Sequence, residues 1–149
     1  MNKNDAPFPQ ANDFKKVIKI LNTEEEKLND YEIMRVVLGD VTSRQVDYYE
    51  SACIYLGLMT KEKKFTQKGI IVRSMSGIRQ TIALSQIVVS DAVFGTVYFT
   101  WKMLDIEPEL DDVITIMKQY VSLKTEKMYK RRASTVIRWV KWVISNESE

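Results

Sequence analysis

The chain has 149 residues, 45% of them apolar, with 22 basic against 20 acidic side chains. That suffices for one good core or two small ones sharing an interface, and five glycines and three prolines favour a mainly α protein over a sandwich or barrel. The absence of histidine removes Ser-His and Cys-His pairs, His-ligated zinc and any imidazole base, and a single cysteine, Cys53, excludes a disulfide framework and fits a cytoplasmic setting.

Residues 1–12 are polar, carry Pro7 and Pro9, and are expected to form a flexible arm, disordered or loosely docked. Asp13 caps a short helix with Phe14, Val17, Ile18 and Leu21 on one face. Glu24, Glu25 and Glu26 follow in a stretch without apolar period, expected to be a loop or a ragged helical turn. Asp30 caps a second helix, Tyr31 to Leu38, which stops at Gly39.

After a short turn, Thr42 or Ser43 caps the next helix, in which Val46, Tyr49, Cys53 and Leu56 recur at i, i+3, i+7 and i+10 as a buried stripe ending at Gly57. Arg44, Asp47, Tyr48, Ser51 and Tyr55 take the opposite face, so the pair has the helix-turn-helix layout in which the second helix reads a groove. Leu58-Met59 and Phe65-Thr66 flank Lys61-Glu62-Lys63-Lys64, and with no Gly or Asn in the turn the expectation is a loose, lysine-rich β-hairpin wing.

From Gly69 to Leu104 the pattern suits helix, although Ile87-Val88-Val89 also reads as strand. Ser90-Asp91 provides a fresh cap, and Phe94, Val97, Tyr98, Trp101 and Leu104 lie at helical spacing, their aromatics suited to core or a dimer seam. No apolar run here is long and uncharged enough to cross a bilayer. Pro108 opens a helix with Leu110, Val113, Ile114, Met117 and Val121 on its stripe. The last helix, Tyr129 to Ile144, buries Ala133, Val136, Val140 and Val143, the same spacing as in the Val46 helix.

A shift of 87 residues lays the last helix on the Val46 helix, placing Arg131, Ser134, Thr135, Arg138 and Trp142 where Arg44, Asp47, Tyr48, Ser51 and Tyr55 stand. The shorter helix before each suggests two helix-turn-helix units, the second without a wing. The fold expected is therefore mainly α: a winged helix-turn-helix over 13–89 and a second helix-turn-helix-like unit over 90–149 packed on it. Charge is uneven as well. Lys118 to Lys141 holds eight basic residues against Glu126 alone, while Asp105 to Asp112 holds five acids.

The segments RQVDYYESACIYLGL, KKFTQKG and RRASTVIRWVKWV together resemble the winged-helix modules that accompany restriction-type nucleases and other bacterial or archaeal DNA-processing and defence proteins. The resemblance spans Asp30 to about Ser145 and implies DNA recognition through Arg44, Gln45, Tyr48, Arg131, Arg132 and Arg138. A nuclease core does not come with it, because Glu25-Glu26-Lys27 and Glu62-Lys63-Lys64 fall in a loop and the wing.

The residues thus point to double-stranded DNA binding without catalysis, cofactor or metal, alone as a homodimer or beside a nuclease or other protein partner. Ser43, Arg44, Gln45, Tyr48 and Ser51 stand where base edges are read, with Arg suited to guanine and Gln to adenine. Lys61, Lys63 and Lys64 in the wing, and Lys130, Arg131, Arg132, Ser134, Thr135, Arg138 and Lys141 in the last helix, are candidates for phosphate contacts. The alternative is a protein-interaction or assembly module of the same fold, with Trp142 as an aromatic anchor on the outer face.

Overall fold

The structure, a computed structural model, describes residues 3–147 and is mainly helical. It divides into two compact units between Gln80 and Thr81, inside the fifth helix, whereas the sequence pattern suggested a boundary after Val89.

The N-terminal unit contains α1 (Phe14–Leu21), α2 (Tyr31–Val37), α3 (Ser43–Tyr55) and α4 (Gln67–Ser74), with a single 3-10 turn at Glu25–Lys27. Asp13 and Asp30 cap α1 and α2 through their carboxylates, and Thr42 caps α3. α3 packs on α1 and α2, and the stripe Val46, Tyr49, Cys53 and Leu56 is buried as its spacing requires. Burial among these apolar neighbours drives the Cys53 thiol well above its ordinary pKa, so it stays protonated as a small core group.

α3 ends in a Schellman turn. Gly57 takes the left-handed conformation at φ +77°, its N–H donates to the Ile54 carbonyl at 2.9 Å, and the Leu58 N–H donates to Cys53 at 2.9 Å.

One expectation fails in this unit. No strand occurs among the described residues, so the β-hairpin wing is absent. Met59 and Phe65 form one isolated bridge, and the chain then turns at once into α4. The reason is Thr66, which acts as a helix cap. Its hydroxyl donates to the Gly57 carbonyl at 2.7 Å and accepts from the Gly69 N–H at 3.0 Å. Gly69 lets the backbones meet, since a Cβ there would lie 2.0 Å from the Leu58 carbonyl oxygen.

The N-terminal arm is also docked. Ala6, Phe8 and Ala11 are buried, and the Asn4 amide donates to the Tyr55 carbonyl at 2.9 Å. Phe8 meets the Tyr55 ring edge-on, which takes Tyr55 off the exposed face expected for it and into the core. The arm turns back at Asn4 and Asp5, bridging Lys3 to Ala6, and burial of Phe8 draws it onto the core.

The C-terminal unit holds most of α5 (Ile78–Val89), with α6 (Ala92–Leu104), α7 (Leu110–Tyr120) and α8 (Glu126–Ser145). The Ile87-Val88-Val89 run is helical, and the Asp91 carboxylate accepts from the Val93 and Phe94 N–H groups to start α6. α8 packs on both α6 and α7. Ala133, Val136, Val140 and Val143 are buried as expected, and Trp139 joins them, stacked on Phe94 with ring centroids 4.8 Å apart. The α6 stripe holds only at its start: Phe94 and Val97 are buried, while Leu104 is exposed. No single helix among the described residues is long and apolar enough to cross a membrane.

Candidate nucleic-acid interface

The first candidate surface lies at the start of α3. Ser43, Arg44 and Gln45 are exposed there, with Tyr48 and Ser51 half-buried one and two turns on. Arg44 is pre-positioned by its neighbour: its Nε donates to the Tyr48 hydroxyl at 2.7 Å and its guanidinium lies 5.7 Å from the ring centroid. Gln45 is differently employed. Its Oε1 accepts the Thr42 N–H at 3.0 Å while Thr42 Oγ1 accepts the Gln45 N–H at 3.1 Å, which is a capping box. The acceptor that would read adenine is therefore committed to the helix terminus. Asp47 accepts a short hydrogen bond from the Tyr31 hydroxyl of α2, leaving a carboxylate on this face.

The three lysines expected in the wing separate by environment. Lys63 has left-handed backbone at φ +63° and turns inward, its Nζ 2.8 Å from Glu50 Oε1 and 4.6 Å from the Tyr31 ring centroid. Glu50 is 2% exposed, and neither carboxylate oxygen has an aligned hydrogen-bond partner among the described residues. Burial raises the Glu50 pKa against the opposing pull of Lys63. Burial lowers that of Lys63, but the contact with Glu50 outweighs it and the net direction is upward. Lys63 is thus the counter-charge of a buried acid and not a phosphate ligand.

Lys64 is exposed but lies 3.9 Å from Glu25, whose other oxygen accepts the Phe65 N–H at 2.8 Å. Lys61 is exposed at a cleft of ≈ 420 Å³ that Asp5 and Glu62 also line.

α8 presents a different surface. Lys127, Arg131, Ser134, Arg138 and Lys141 follow one another at three- and four-residue steps, with Lys130 next to Arg131, so the six share one face over ~21 Å of helix. All but the half-buried Ser134 are exposed. Lys141 pairs with Glu107 at 3.4 Å; Lys127, Lys130, Arg131 and Arg138 have no ion pair among the described residues.

Arg132 and Thr135, expected on this face, are buried instead. The reason is rotational, since each sits four residues before a core position, Val136 and Trp139. Trp142 is half-buried, and its backbone carbonyl accepts the capping bonds of the helix end. Lys127 was the residue missed, lying just outside the expected helix start; its spacing to Lys130 and Arg131 is the signal that marks it.

The 87-residue correspondence holds for the two core stripes and stops there. α8 begins with Thr125 as its cap, one turn before the equivalent of the α3 start, and its counterparts of Gln45 and Tyr48 are the buried Arg132 and Thr135. Among the described residues no group of three or more Asp, Glu, Cys or His side chains is arranged to hold a metal.

The family model described as a domain of unknown function, DUF7226, matches residues 15–148, nearly the whole chain. No curated protein and no solved structure matches it.

Proposed function

The chain belongs to the DUF7226 family, and we propose that it binds double-stranded DNA, in a recognition role that leaves any catalysis to another chain. The observation that carries this reading is the cationic face of α8, where four exposed side chains, Lys127, Lys130, Arg131 and Arg138, have no counter-charge among the described residues. A face of ~21 Å runs past about six phosphates of one strand. Unpaired guanidinium and ammonium groups at that spacing release counterions without first giving up an internal partner.

α2, the connection 38–42 and α3 form the second element of the proposal, a wingless helix-turn-helix with Arg44 held by Tyr48 at the base-reading position. Ser43 and Ser51 flank it as hydrogen-bonding groups. Under this reading α8 grips the backbone and α3 supplies what sequence preference there is. The restriction and defence setting rests on the resemblance of the quoted segments alone.

A salt titration of binding to a fluorescent duplex tests the proposal. The expected slope of log K against log salt is about −3 to −4, close to −0.9 for each of the four free cations. A slope near zero, or no binding at low salt, overturns it.

A further inference from the structure

The C-terminal end of α6, the segment after it and α7 together leave an unusually apolar surface uncovered. Met103 is 81% exposed, Ile106 67% and Leu104 61%. Scattered single apolar residues need no explanation, but a contiguous set rimmed by polar groups marks an interaction site. Leu104 and Ile106 also line a cleft of ≈ 590 Å³ with Val97, Pro108 and Ile116. Acids stand at it: Glu107, Glu109 and Asp112 line the cleft, and Asp105 and Asp111 lie beside them in the sequence. Three of the five are engaged, Glu107 with Lys141, and Glu109 and Asp112 in the capping box of α7. Asp105 and Asp111 remain exposed without an ion pair among the described residues.

We infer that this acid-rimmed cleft receives a basic amphipathic helix of a partner protein. Each part of that occupant follows from the surface. Apolar side chains are needed to cover Met103, Leu104 and Ile106, and cations to answer the rim. A helix is needed because no strand, and so no sheet edge for an extended peptide to join, exists among the described residues.

Nucleic acid and anionic lipid are repelled by the same carboxylates. The inference does not depend on DNA binding, which uses the cationic face of α8.

The probe is a labelled peptide about five helical turns long, built from Leu and Lys in amphipathic order, followed by fluorescence anisotropy. A peptide of the same Leu pattern with Glu in place of Lys is the control. The Lys peptide is expected to bind at least ~10-fold more tightly than the Glu peptide. Met103→Asp with Leu104→Asp is expected to weaken it by ~10-fold or more. Both positions are exposed, so the fold tolerates them, and unchanged circular dichroism checks this.

Asp105→Asn with Asp111→Asn keeps the apolar surface and should weaken the Lys peptide by about 3- to 10-fold at low salt; asparagine also accepts the left-handed backbone of Asp105. Arg131→Ala with Arg138→Ala should leave peptide affinity unchanged even if it abolishes DNA binding, which separates the two proposals. Equal affinity for the Glu peptide, or an aspartate double variant that binds as the parent does, overturns the inference. So does a concentration-dependent dimer that the Met103 and Leu104 substitutions dissolve, because the occupant would then be a second copy.

Discussion

α3 and α8 bury the same pattern of side chains, Val46, Tyr49, Cys53 and Leu56 in one and Ala133, Val136, Val140 and Val143 in the other, yet they leave different things outside. On α3 nearly every polar group already has a partner in the fold: Arg44 holds Tyr48, Gln45 closes the cap, Asp47 takes the Tyr31 hydroxyl and Glu50 faces Lys63. On α8 four cations along one face have no such partner among the described residues. A count of basic residues therefore misjudges a binding surface, because a charge is available to an external phosphate only where the fold has not used it. The turn before α4 makes the same point, with Lys63 spent on Glu50 and Lys64 near Glu25.

The comparison breaks most visibly if Lys63 is removed. Lys63→Met strands the Glu50 carboxylate, which is 2% exposed, and should cost about 3 kcal/mol of stability without weakening DNA binding. Glu50→Gln on top of it should recover much of the loss, because a neutral amide needs no counter-charge. The pH dependence has a definite sign. Glu50 already titrates above the ordinary glutamate value of 4.5, so in the window between that value and its raised native one the folded state holds more protons than the unfolded chain, and stability falls as pH rises.

Deleting the lysine raises the native value further and widens the window. Thermal melts of Lys63→Met should then improve on acidification from neutral pH towards 5, more steeply than those of the parent. A variant that melts like the parent at every pH would mean that the inward-facing lysine is not what balances Glu50.

The opposite outcome is expected on α8. Arg131→Ala with Arg138→Ala should leave stability within about 0.5 kcal/mol of the parent, since neither guanidinium has an ion pair among the described residues. DNA affinity should fall for every duplex tested, with the salt slope shallower by about two charges. If the double substitution changes sequence preference while the salt slope stays put, grip and reading are not divided between the helices as proposed.

Much of this architecture was legible in the residue order. Helix starts at Asp13, Asp30, Thr42 and Asp91, the stop at Gly57 and both core stripes follow from short-range rules, in which capping oxygens and a 3.6-residue period act within one or two turns. What escaped depends on contacts distant in sequence. Thr66-x-x-Gly69 reads equally as a strand end or as a cap, and the close approach of Gly69 to Leu58 decides for the cap.

Phe8 beside Tyr55, and Lys63 beside Glu50, bring together residues that no local period connects. At the candidate interface, Arg44, Arg131 and Arg138 are exposed as read, whereas Arg132 and Thr135 are buried. Counting from the repeat placed them outside, and counting from the core positions Val136 and Trp139 places them inside.

Gln45 carries the smallest effect and the sharpest choice between its two roles. As a base reader it would change which duplex is preferred and leave stability alone; as the reciprocal half of the capping box with Thr42 it does the reverse. The geometry favours the cap, because the acceptor oxygen lies 3.0 Å from the Thr42 N–H and an adenine contact would require giving up that bond. Gln45→Ala should therefore lower stability by about 0.5–1 kcal/mol. Gln45→Glu, which also accepts the N–H and places a negative charge at the helix N-terminus, should restore it. Binding selections over randomised duplexes should return the same preferred sequence for the parent and for Gln45→Ala. A shifted preference at unchanged melting temperature would return Gln45 to the reading surface and make the cap dispensable.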